Sequence, residues 1–157
     1  MKKSLSVPEW HQLAQEGIKI PVRIPLNGWS MEPLIRMNKD LVTVIPLDAA
    51  PKIGDIVMFA DQNETRFVMH RVWRLNDHEI LTWGDNCPKP DGWLPLDRIW
   101  GKAVLIERGK RKIEPDPKKG MRWARIWHHA GKVYRPCIKC KNAIRSGLDK
   151  IGALVKK

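Results

Sequence analysis

Apolar positions change their period twice along the chain. Residues 8–15 have the length and boundaries of a short helix, with Pro8 in the first turn and Gly17 where a helix would stop. Ile18, Ile20, Val22 and Ile24 then alternate with Lys19, Pro21, Arg23 and Pro25, the two-residue period of a strand buried on one face. The prolines place that strand at a sheet edge. Apolar runs follow at 41–45, 56–59, 67–75, 80–83 and 99–107, separated by turns rich in Asp, Gly, Asn and Pro. With hardly any helical period between 18 and 107, the pattern predicts a mainly β body, an antiparallel barrel or coiled sheet. Helical spacing returns with Trp123, Ile126, Trp127, Ala130 and Tyr134. After Pro136 it continues through Cys137, Cys140, Ile144, Leu148, Ile151 and Val155, with basic residues at other positions. The expected organisation is a β domain over 1–107, a basic Pro-containing linker over 108–120, exposed and extended, and a basic amphipathic helical tail over 121–157.

Composition narrows the function classes. A chain of 157 residues has room for one ordinary domain, and 43% hydrophobic with 29% charged residues excludes a disordered chain. No window approaches the roughly 18 apolar residues of a membrane span, and Met1-Lys2-Lys3 is followed by Pro8, Glu9 and His11 rather than an apolar run. The expectation is a cytoplasmic protein without anchor or export signal. Charge is uneven: residues 1–107 carry 13 Lys/Arg against 14 Asp/Glu, and residues 108–157 carry 16 against 3. The tail is therefore suited to an anionic partner, either phospholipid head groups or nucleic acid. Trp123 and Trp127 beside Arg122 and Arg125 suit the head-group boundary and favour peripheral attachment to the membrane's inner face, against the alternative that the apolar stripe packs on the body. Nucleic acid is the less favoured partner, because no reader motif accompanies the charge. Three cysteines fit a reducing compartment. Cys137 and Cys140 with His128 and His129 lack a familiar zinc spacing, so neither a metal nor a cofactor is expected.

The body offers the parts of a hydroxyl nucleophile's site: a base, a group to orient it, and donors for the oxyanion. Gly28-Trp29-Ser30-Met31-Glu32-Pro33 places a serine just after a strand. Met69-His70-Arg71-Val72 lies in a strand-like run, with His70 and Val72 on one face and Arg71 on the other. Gly84-Asp85-Asn86 and then Asp91 supply carboxylates in a turn-rich segment.

Over residues 18–107 these segments resemble a superfamily of serine peptidases, that of the type I signal peptidases and the self-cleaving SOS repressors. The Ser30 segment resembles its nucleophile box Gly-x-Ser-Met-x-Pro. Lys52-Ile53-Gly54-Asp55-Ile56-Val57 resembles the next strand, His70-Arg71-Val72 the base box and Gly84-Asp85-Asn86 the last box. The resemblance is closest to the branch whose base is histidine, and to its small soluble bacterial members, associated with peptide maturation. It implies a coiled β fold and endopeptidase cleavage of a peptide or precursor protein through an acyl-enzyme, with Ser30 as nucleophile and His70 as general base. It implies an acidic residue after the last box to orient His70: Asp91, with Asp85 as the alternative. Gly28 and Met31 flank Ser30 as substrate or oxyanion contacts. Since Gly28 stands where some relatives carry a hydroxyl, the backbone N–H of Ser30 is the main expected donor.

Histidine suits such a site, since its ordinary pKa of about 6.5 needs little tuning, whereas lysine must fall from about 10.4. Labelling of Ser30 is accordingly expected to rise through about pH 6–7. The rival functions are an inactive peptide-binding module of the same fold, and a basic protein that binds membrane or nucleic acid without catalysis.

Overall fold

The computed structural model describes residues 6–61 and 66–130. α1 (Val7–Gln15) starts on a capping box: Ser6 Oγ accepts from Glu9 N at 3.4 Å, and Ser6 N donates to Glu9 Oε2 at 2.8 Å. It buries Trp10, whose Nε1 donates to the Ile20 carbonyl at 2.7 Å. The helix is thereby fixed to the chain entering the first strand.

The strands are β1 (Val22–Pro25), β2 (Asp40–Ile45), β3 (Ile56–Ala60), β4 (Phe67–Leu75), β5 (Glu79–Trp83), β6 (Gly92–Pro95), β7 (Ile99–Arg108) and β8 (Arg111–Ile113). They form one eight-stranded antiparallel sheet in the order β1-β2-β7-β3-β4-β5-β6, with β8 paired to β7. The mainly β expectation holds, and the sheet does not close into a barrel. Its two terminal strands border the candidate site: β1 leads into Ser30, and β6 begins at the residue after Asp91.

β3 is buried at all five positions because both its faces are covered. Ile56 and Met58 join Trp10, Met31, Ile35, Val42, Val44, Met69, Ala103 and Ile106 on one side. Val57 and Phe59 join Val72, Ile80, Leu94 and Ile99 on the other. Truncating a side chain as large and buried as Trp10 costs about 3–5 kcal/mol, so α1 is part of the core.

Three boundaries differ from the sequence expectation: β1 begins at Val22 rather than Ile18, leaving Ile18 and Ile20 exposed before it, and the other two lie at the end of the body. The segment read as an extended linker contains β8, which turns back at Gly109 and pairs Ile113 with Ile106. A helix, α2, then begins at residue 117 and is described as far as 130. It is docked on the body through Met121, Ala124 and His128, with the His128 ring centroid 4.0 Å from Trp83 and 5.0 Å from Trp73. The body thus continues past 107, because a strand and a helix turn cover apolar surface that the other strands leave open. The remainder of the expected tail, including Cys137 and Cys140, lies outside the described residues.

Candidate active site

Strand β4 projects its residues alternately, and this sets up two carboxylate pairs on opposite faces. His70 lies on the face of Phe59, whose ring it meets edge-on at 6.1 Å. Its Nδ1 is 2.6 Å from Asp91 Oδ2, and Thr82 Oγ1 donates to the same carboxylate oxygen at 2.8 Å. On the opposite face the Arg71 guanidinium donates to both oxygens of Asp85, at 2.8 and 2.6 Å, and to the Gly54 carbonyl at 2.9 Å. Of the two candidate carboxylates, Asp91 therefore meets His70, and Asp85 is engaged by Arg71. The bidentate pair is buried, with Arg71 only 1% exposed, so Asp85 is the counter-ion that such a buried cation requires.

The segment Gly84-Asp85-Asn86 performs three tasks at consecutive residues. A Cβ on Gly84 would stand 2.8 Å from His70 Nε2, so only glycine lets the imidazole pass. Asp85 holds Arg71. Asn86 reaches the Ser30 loop: its N–H donates to the Ser30 carbonyl at 2.7 Å and its Nδ2 to the Trp29 carbonyl at 3.2 Å. These bonds join the two ends of the sheet and bring the Ser30 loop beside the turn that touches His70.

Ser30 is half-buried, and among the described residues its hydroxyl makes no hydrogen bond to His70. What faces Nε2 is Cys87 Sγ, 3.9 Å away. Imidazole and carboxylate thus meet as a pair, and the serine is tied by its backbone carbonyl to Asn86 in the turn beside them. Catalytic hydrogen bonds in unliganded sites commonly tighten only when substrate is bound.

Burial of His70 lowers its pKa, but the hydrogen bonds to Asp91 and Cys87 outweigh it and raise the group to about 9. His70 is therefore an imidazolium at neutral pH, which differs from the near-neutral base expected from the residue type. The neighbouring carboxylate favours the charged form more than desolvation disfavours it.

Other expected site residues fall elsewhere. Met31 is 1% exposed and packs in the core with Ile35 and Val42, so its side chain anchors the serine loop. Gly28 is exposed. Trp123 is 62% exposed, with Arg122 and Arg125 exposed beside it, whereas Trp127 is half-buried. The two indoles do not form one outward stripe, because the helix turns Met121, Ala124 and His128 inward instead. Trp123 and Trp127 with Pro33, Leu34, Arg71 and Asp85 line a mostly apolar cavity of about 340 Å³. Its lining includes none of Ser30, His70 and Asp91, so it lies on the Arg71 side of the sheet.

Sequence reasoning gave no role to Cys87, Thr82 or Arg71. Cys87 follows directly on the last box, and that adjacency is its signal. Thr82 carried none, since its hydroxyl meets Asp91 only through the pairing of β5 with β6. Among the described residues no group of three or more His, Cys, Asp or Glu side chains has the arrangement of a metal site, and no helix is long and apolar enough to cross a membrane. No family model, curated protein or solved structure matches the chain.

Proposed function

We propose that the chain is a serine endopeptidase in which Ser30 is the nucleophile, His70 the general base and Asp91 the group that orients His70. The observation that carries this reading is the 2.6 Å bond from His70 to Asp91, with the Ser30 loop pinned alongside by Asn86. In the reaction Ser30 Oγ gives its proton to His70 Nε2 as it attacks a peptide carbonyl. His70 returns that proton to the departing amine, and water then hydrolyses the acyl-enzyme by the same route. Asp91 accepts from Nδ1 and stabilises the imidazolium throughout. The substrate class is a peptide or precursor protein bound in extended form. β1 and β6 are terminal strands of the sheet, and an added strand beside either runs next to the site.

The test is labelling with a serine-directed fluorophosphonate, read by mass spectrometry. Modification of Ser30 that rises through about pH 9 and is lost in His70→Ala supports the enzyme. No labelling between pH 5 and 10, with retained binding of an extended peptide, identifies an inactive binding module instead.

A second reading concerns attachment and is favoured by the outer face of α2. Trp123 and Ile126 are each 62% exposed, flanked by exposed Arg122 and Arg125. We infer that this face docks on an anionic membrane surface, since an indole among cations matches the head-group boundary. Binding to vesicles containing phosphatidylserine that weakens with salt and in Trp123→Ala supports it. Equal binding to neutral vesicles, or salt-sensitive binding to generic RNA alone, overturns it.

A further inference from the structure

The side of His70 away from Asp91 is occupied by a thiol. Cys87 Sγ stands 3.9 Å from Nε2 and is held there by its own backbone. Cys87 N donates to the Gly84 carbonyl at 2.9 Å, closing a turn, and the Cys87 carbonyl accepts from Trp83 Nε1 at 3.0 Å. A Cβ on Gly84 would meet Sγ at 2.7 Å as well as Nε2 at 2.8 Å, so the glycine lies where thiol and imidazole converge. His70 is 5% exposed, whereas Cys87 is half-buried, so Cys87 is the more accessible residue of the two. Carboxylate, imidazole and thiol stand in sequence, the order in which an oriented base activates a sulfur nucleophile.

We propose that Cys87 is a second nucleophile of this site, a thiolate activated by His70, and that it competes with Ser30 for the same ring nitrogen. The inference rests on His70 acting as a base and does not require Ser30 to react. The S–H bond breaks, the proton bonds to Nε2, and the result is a thiolate beside an imidazolium, with no change of oxidation state. While Nε2 holds that proton it cannot accept one from Ser30, so the serine is silenced. The ligands of such a thiolate are soft electrophiles. The charged and titratable groups facing His70 are Asp91, from the loop before β6, and Cys87, from the turn after β5. Thr82 on β5 buttresses Asp91, β3 contributes the apolar Phe59, and Arg71 beside it on β4 points to Asp85 on the other face.

Iodoacetamide tests the inference on the full chain. The sulfur bonds to carbon, iodide leaves, and the proton on His70 passes to solvent. The rate is read between pH 6 and 10 on the peptide containing Cys87, apart from those containing Cys137 and Cys140. An ordinary thiol with a pKa near 8.5 slows about 30-fold from pH 9.5 to pH 7. Cys87 is expected to slow less than threefold, and His70→Asn to restore the steep dependence. A 30-fold fall in the unsubstituted protein overturns the proposal, and that measurement needs no variant to fold. In a second arm, Cys87→Ala is expected to move the onset of Ser30 labelling to lower pH. If Ser30 does not label at any pH, the serine reading fails, and the alkylation profile still decides the thiol.

Discussion

Replacing Asp91 with Asn removes a charge while keeping shape, and the structure fixes what should follow. Asp91 Oδ2 lies 2.6 Å from His70 Nδ1, and His70 is raised to about 9 against an ordinary value near 6.5. A difference of that size corresponds to about 3 kcal/mol of preference for the folded imidazolium, at about 1.36 kcal/mol per pKa unit. Because the folded value lies above the unfolded one, this stabilisation is fully present below about pH 6.5 and is lost as pH rises through about 9. In Asp91→Asn the burial of His70 is opposed only by Cys87, so the imidazole should titrate well below the value it has beside Asp91. Urea unfolding at pH 6 and pH 9.5 checks the energetics, and NMR titration of the His70 ring checks the assignment. The expected result is an unsubstituted protein that loses about 3 kcal/mol between the two pH values through this group, and a variant in which that loss is clearly smaller. The same pH dependence in both proteins, or a His70 ring that titrates near 6.5 in the unsubstituted chain, would refute the reasoning.

Asp85→Ala leaves the guanidinium of Arg71 buried without its counter-ion, and a loss of about 3–5 kcal/mol in urea unfolding is expected. That is a larger cost at neutral pH than Asp91→Ala imposes, because Asp91 is partly exposed and water can replace it at His70. Gly84→Ala puts a methyl group within 2.8 Å of both His70 Nε2 and Cys87 Sγ. It should cost about 1–3 kcal/mol as an overpacked site and should abolish both Ser30 labelling and the flat alkylation profile of Cys87. Retention of both by a folded Gly84→Ala protein would show that the convergence at this glycine is unimportant.

Much of the fold was legible because period is a local property. The expected strands at 41–45, 56–59, 67–75, 80–83 and 99–107 agree with β2, β3, β4, β5 and β7 to within a residue at each end. β6 escaped because Gly92, Trp93, Leu94 and Pro95 are too few for a period and too rich in Gly and Pro to read as strand. β8 escaped because Arg111 and Lys112 read as linker, and their strand geometry comes only from pairing with β7. At the site, residue types and order named His70 and both carboxylates, and the resemblance favoured Asp91 over Asp85 without a geometric reason. That choice is made by strand pairing: Thr82 stands opposite Gly92, so the chain returns to β5 with Asp91 beside it, and Asp91 N donates to the Thr82 carbonyl at 2.9 Å. The burial of Met31 escaped for a related reason. Its neighbour Ser30 is half-buried, while Met31 turns into the core, and adjacency in sequence carried no information about that reversal.

The docking of α2 and the geometry of the serine loop share one side chain, and a single methyl group tests the link. A Cβ on Gly120 would lie 2.4 Å from an Arg71 guanidinium nitrogen. A flexible arginine would ordinarily move aside. Arg71 is held by two hydrogen bonds to Asp85 and one to the Gly54 carbonyl, so moving it breaks charge-assisted bonds inside the protein. Two responses compete in Gly120→Ala. If the guanidinium yields, Asp85 loses its partner, at a cost on the scale of a broken buried pair, about 3–5 kcal/mol. If the first turn of the helix lifts, Met121 loses its burial at about 1.5–3 kcal/mol, less than the pair, while Ala124 and His128 further along stay seated. The helix should therefore yield first, and Asn86, directly after Asp85, should keep its bond to the Ser30 carbonyl. Amide hydrogen exchange can separate the responses. The expected pattern is faster exchange in α2 with unchanged protection of the Asn86 amide. Equal loss of protection at both would show that the guanidinium gives way and that the helix and the site move as one unit.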